Sequence, residues 1–152
     1  MSKYLESLIF DRTQSDIIEL TDKAYIDYKD LNRIEQAIKW VSYVLNQYGY
    51  RNTTNNKLNW KPEDHRTDKE MERLRKNIVA IRNAYYTGDS TPLTPDKITY
   101  TSIYQANAIE KIIYDLGNLI EKSYPGPQHL SFKLGTKVLG NRGLSYEFEN
   151  KF

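Results

Sequence analysis

The chain has 152 residues, 39% hydrophobic and 28% charged, with 13 tyrosines, no cysteine and a mean hydropathy of -0.74. That length suits one domain with a single core, and the composition excludes a disordered chain, a disulfide scaffold and any Cys-based zinc or thiolate chemistry. Formal charge is +2 with the signs interleaved, so no one-signed field gathers nucleic acid or an anionic membrane, and no apolar run approaches the roughly 18 residues of a membrane span.

Taken in chain order, residues 1–12 open on a short apolar patch of Leu5, Leu8, Ile9 and Phe10, with no stretch of signal-peptide length and no small-residue cleavage site. The protein is therefore expected to stay in the cytosol unless something carries it out. Thr13 followed by Asp16 has capping-box spacing and predicts a short helix from about Gln14 to Lys23. Its apolar positions Ile17, Ile18 and Leu20 are few, so it must dock on something longer to persist.

Leu31, Ile34, Ile38, Val41, Leu45 and Tyr48 then step by three and four residues and predict a long amphipathic helix. Asp30 serves as its cap or first-turn acid, Gly49 as the left-handed residue that ends it, and Trp40 and Tyr43 widen the stripe. Residues 51–66 are rich in Asn, Thr and charge and read as a loop anchored by Leu58 and Trp60. Thr67 with Glu70 forms a second capping-box pattern, and Met71, Leu74, Ile78, Ile81 and Tyr85 mark a second long helix that stops before Gly88.

Pro92 and Pro95 separate it from a third stripe between Thr101 and about Lys122, built on Ala108, Ile109, Ile112, Ile113, Leu116, Leu119 and Ile120. Gly117 within that stripe marks a close approach by a neighbouring helix. After Tyr124-Pro125-Gly126-Pro127 the pattern changes: Leu130, Phe132 and Leu134 alternate, as do Leu144, Tyr146 and Phe148, with Gly135, Gly140 and Gly143 between. The fold expected is mainly α, a small bundle of three long helices plus a short N-terminal one over 1–124, followed by a β-hairpin or extended assembly arm over 125–152. Residues Asn32 to Ile38 and Asn107 to Ile113 share Asn, Ile, Glu and a final Ile in register, a faint internal echo that marks either two helices in equivalent roles or a chance match among helix-favouring residues.

The chemistry-bearing residues are sparse. His65 and His129 belong to no metal-ligand spacing, Glu63-Asp64-His65 reads as a solvated loop, and Asp11 and Asp16 read as helix-capping acids. No glycine-rich phosphate loop occurs. Arg66, Lys69, Arg73 and Lys76 recur at helical steps as a basic ridge, which leaves a small nucleic-acid-binding regulator as the alternative function, although Asp68, Glu70 and Glu72 share those turns. No catalytic, cofactor or metal residue is predicted, and an enzyme is not expected.

The ordered stretches Leu8-Ile9-Phe10-Asp11-Arg12-Thr13-Gln14-Ser15-Asp16, Tyr28-Lys29-Asp30-Leu31-Asn32-Arg33-Ile34-Glu35, Tyr48-Gly49-Tyr50, Ile98-Thr99-Tyr100 and Ala106-Asn107-Ala108-Ile109-Glu110-Lys111 resemble a module of phage and prophage structural proteins of Gram-positive hosts. The resemblance covers residues 8 to about 122. It implies a virion component of a tail, baseplate or fibre region, assembled in the host cytoplasm, with other tail or baseplate proteins as partners and a homo-oligomer or multiple copies in a symmetric assembly. Membrane association is not implied, and nucleic acid is a poor fit as partner. Uncovered strand edges tend to pair with another chain, so the partner-binding residues expected are Leu130, Phe132, Leu134, Leu144, Tyr146 and Phe148.

Overall fold

The computed structural model describes residues 2–21 and 25–123. Among them are five helices and no strand: α1 (Lys3–Glu6), α2 (Gln14–Ile18), α3 (Tyr28–Gln47), α4 (Asp68–Ala84) and α5 (Ile103–Ser123). The mainly helical expectation is met, and the three long stripes become α3, α4 and α5. The alternating segments after residue 125 lie outside the described residues.

The long helix α3 lies between α4 and α5, while α1 crosses both α3 and α5. Leu31, Ile34, Ile38, Val41 and Leu45 of α3 meet Leu74, Ile78 and Ile81 of α4 and Ile109, Ile113, Leu116 and Ile120 of α5 in one core. Trp40 widens the α3 face as expected, and its indole stacks on Tyr4 at 6.4 Å between ring centres. No described helix is long and apolar enough to cross a membrane.

Local chemistry sets the helix ends. Asp27, not Asp30, is the N-cap of α3: its carboxylate accepts from the Lys29 and Asp30 N–H groups, while Asp30 reaches back to the Asp27 N–H. At the other end Gly49 adopts φ 91°, and the N–H groups of Gly49 and Tyr50 bond back to Asn46 and Leu45, closing a Schellman turn. Thr67 caps α4 through the Glu70 N–H, but only half of the predicted box forms because Glu70 turns its carboxylate toward Arg73. Gly117 is a point of close approach as expected, but the neighbour is a side chain of α1: a Cβ there would lie 2.6 Å from Leu5 Cδ2.

Two expectations fail. The short helix α2 buries none of its residues, with Ile17, Ile18 and Leu20 all exposed, because capping bonds and not packing hold it. Asp16 takes the Thr13 N–H at 2.8 Å and the Thr21 hydroxyl at 2.9 Å. Leu58 is exposed as well, so of the two proposed loop anchors only Trp60, 3% exposed, enters the core.

Candidate functional site

Two glutamates, Glu35 on α3 and Glu110 on α5, have no exposed surface. A buried carboxylate is costly unless donors surround it, and here the donors come from distant parts of the chain. Glu110 accepts from the Ile9 N–H at 2.9 Å, pairs with Arg33 of α3 at 2.9 Å and with Arg12 at 2.7 Å, the last as an ion pair with both side chains buried. Glu35 accepts from the Lys57 N–H at 2.9 Å and from the Trp60 indole N–H, and Arg73 of α4 forks onto both its oxygens, Nη2 to Oε2 at 3.0 Å. For Arg33, burial works against the charged form but the Glu110 and Asp30 carboxylates together outweigh it and raise the pKa; for Arg73, the hydrogen bond to Glu35 is the largest contribution to the rise.

Three residues before each glutamate stands an asparagine with an equally matched task. Asn107 donates to the Arg12 carbonyl at 2.9 Å and accepts the Arg12 N–H at 3.1 Å; Asn32 donates to the Trp60 carbonyl at 3.1 Å and accepts the Trp60 N–H at 2.8 Å. A carboxamide carries the same donor and acceptor as a peptide group, so each asparagine satisfies one residue of irregular backbone as a strand neighbour would. The parallel continues beyond the grip. Asp16 caps the Thr13 N–H at 2.8 Å and Asp64 caps the Lys61 N–H at 2.9 Å, each acid four residues after the gripped one. The helix pair that the sequence echo singled out therefore does one job twice: α5 holds residues 9–12, and α3 holds residues 57–60.

The same device recurs along the 51–66 loop. Asn46 grips the Asn52 backbone and Asn77 grips that of Asn55, with donor–acceptor distances between 2.7 and 3.1 Å. Nothing in the spacing of apolar residues signals these grips; the Asn-rich composition of the loop and its flanks was the available clue.

Beside the first grip lies an open groove of about 300 Å³ between α2 and the start of α5, lined by Arg12, Ile17, Tyr25, Tyr100, Ile103 and Tyr104 among others. Arg12 belongs to the grip itself, so the buried ion pair fixes one wall. Tyr100 at the floor adopts φ 53°, and its buried hydroxyl has no hydrogen-bond partner among the described residues. Burial raises the pKa of that phenol, with Glu110 adding to the shift. The turn is held by Gln105, whose side-chain oxygen accepts the Thr99 and Tyr100 N–H groups at 2.9 Å. Around the groove Tyr25 and Tyr104 are more than half exposed, as are Ile18 and Leu20.

Of the residues singled out from sequence, Leu130, Phe132, Leu134, Leu144, Tyr146 and Phe148 lie outside the described residues, as does His129. The basic ridge is broken up: Arg73 turns inward to Glu35, Arg66 donates to the Ile26 carbonyl at 2.7 Å, and Lys69 and Lys76 remain exposed. Asp64 pairs with Lys57 at 3.3 Å, and the Lys61 N–H holds its pKa below the usual value. Among the described residues no group of three His, Asp or Glu side chains is arranged to hold a metal ion. Comparison of the chain with family models, curated proteins and solved structures returned no match.

Proposed function

We propose that this protein is a structural subunit of a phage or phage-like tail, in its baseplate or fibre region, and that it acts by protein–protein assembly as a homo-oligomer or as repeated copies on a ring. The ordered motif set from Asp11-Arg12-Thr13 to Ala106-Asn107-Ala108-Ile109-Glu110-Lys111 supports the virion setting. The single observation that carries the assembly role is α2 and its exit. Ile18 is 79% and Leu20 68% exposed, and Leu20 is in addition held at φ 55°, a conformation that disfavours side chains with a Cβ. Both the exposure and the backbone conformation are unfavourable in an isolated chain, and a partner that covers the patch offsets them.

The alternating residues Leu130, Phe132 and Leu134, and Leu144, Tyr146 and Phe148, supply a second contact, by adding a strand to a neighbour whose pockets take alternate side chains. Deleting residues 128–152 is expected to leave a helical protein that neither self-associates nor enters the tail particle. Far-ultraviolet circular dichroism, light scattering and immunodetection in purified particles make the test; unimpaired incorporation of the truncated chain would reject the role of the arm.

A further inference from the structure

We infer that residues 2–12 are exchanged between two copies of this chain, each copy's amino-terminal segment docking on α5 of the other. The inference names the partner that covers α2 as a second copy, and it rests on the assembly reading above. The first argument is that α5 holds this segment as it would hold a separate peptide. Glu121 accepts the Ser2 N–H at 2.9 Å, Leu5 fills the seat left by Gly117, Glu110 accepts the Ile9 N–H and Asn107 grips the Arg12 backbone. On α3 the matching grip takes Lys57, which follows Glu35 by 22 residues, whereas Ile9 precedes Glu110 by 101. One grip thus accepts a segment from either side of it in the sequence, so chain continuity is not what brings segment and helix together. An exchanged segment makes the same bonds as a retained one, which makes exchange a low-cost route to a pair.

The connector supplies the second argument. Arg12 and Ile26 line one groove, so their ends lie a groove's width apart, although the stretch between them spans about 48 Å when extended. That slack lets the segment reach a neighbour. Residues 13–21 bury no side chain, so opening α2 uncovers no core. Strain supplies the third argument. The closed turn holds Leu20 at φ 55° and leaves Ile18 and Leu20 exposed. Opening returns Leu20 to extended backbone, and two connectors running side by side cover the Ile18 and Leu20 of one copy with those of the other. A hinge strained in the closed form invites exchange. In a lone chain the tether keeps its own segment at an effective concentration on the order of millimolar, and the closed form prevails; once the arms hold two copies together, that advantage is gone.

The absence of cysteine makes a clean test possible. Leu5 Cγ lies 3.2 Å from where a Cβ on Gly117 would stand, which places the two positions within disulfide reach. Full-length Leu5→Cys and Gly117→Cys variants are refolded together in equal amounts and oxidised mildly. A disulfide between them is expected about ten times faster than one from Leu5→Cys to a Lys69→Cys control on α4. Ser2→Cys with Glu121→Cys repeats the test at the rim of the contact, where no core side chain is lost. Leu20→Gly in both partners removes the strain and is expected to slow the link between chains about tenfold, with helicity unchanged. Rates equal to the control at both pairs overturn the inference, as does a link that forms only inside a chain carrying both cysteines. Should the full-length chain self-associate while no such link forms, its copies meet elsewhere and only this inference falls. Should it fail to self-associate at all, the assembly reading falls with it.

Discussion

Glu110 and Glu35 are each surrounded by donors from segments far apart in sequence, so each is a point where removing one oxygen strands several partners. Replacing Glu110 by Gln leaves the Arg12 guanidinium buried beside a neutral group, and we expect a loss of about 3–5 kcal/mol in urea unfolding. Removing Asp64, whose pair with Lys57 is far more exposed, should cost clearly less than removing Glu110. Comparable losses for the two would mean that Glu110 does not bear the weight assigned to it. Asn107→Ala and Asn32→Ala should each cost about 1–3 kcal/mol, because each leaves a backbone N–H and a carbonyl without their partner. The echo between residues 32–38 and 107–113 made half of this legible from the sequence. The other half was not: residues 9–12 and 57–60 are held through backbone groups, which every residue carries, so Arg12 and Trp60 occupy matching places without resembling one another.

At the level of the helix, the stripes on α3, α4 and α5 were legible because a period of three and four residues follows directly from burying one face. Of the short elements, α1 was not legible, since it contributes one fully buried side chain, Leu5, too little to leave a pattern, whereas α2 was legible through its Thr13–Asp16 capping box and starts at Gln14 as expected; only its lack of buried residues was not. Leu5 against Gly117 offers a test through paired substitutions. Leu5→Ala should destabilise by about 2–5 kcal/mol. Gly117→Ala should destabilise the parent chain by crowding Leu5 but stabilise the Leu5→Ala chain by up to about 1 kcal/mol, the helix preference of alanine being then unopposed; the same sign in both backgrounds would dismiss the contact. The α3 cap is testable by pH. Partial burial opposes ionisation of Asp27, yet the N–H groups of Asp30 and Lys29 hold its pKa below the usual value of 3.8. A lowered folded-state pKa gives stability that is present above the unfolded value and lost as pH falls through the folded one. Asp27→Ala should thus cost about 1 kcal/mol at pH 7 and progressively less below pH 3.8, as measured by denaturation at each pH.

Across the whole molecule, stability and association are expected to separate. Ile18→Ser together with Leu20→Ser removes exposed apolar surface only, so unfolding free energy should move by no more than about 0.5 kcal/mol while light scattering shows weaker self-association. A large drop in stability would instead show that α2 packs on its own bundle. The alternating residues from Leu130 to Phe148 were readable as a pattern, but what such a pattern meets is decided by other surfaces, and the apolar face of α2 was read from sequence as an internal contact for the same reason. The stitching of the chain start has a temporal consequence. Ser2 donates to Glu121, Ile9 to Glu110 and Arg12 to Asn107, spans of 119, 101 and 95 residues. On the ribosome, the segment synthesised first must wait for the helix synthesised last among the described ones, because its anchors do not exist until α5 has emerged. The α3–α4 pair, whose loop is pinned by residues at most 40 apart, can close meanwhile. Translation thus delivers a half-built bundle first, and the arrival of α5 draws the amino terminus into place.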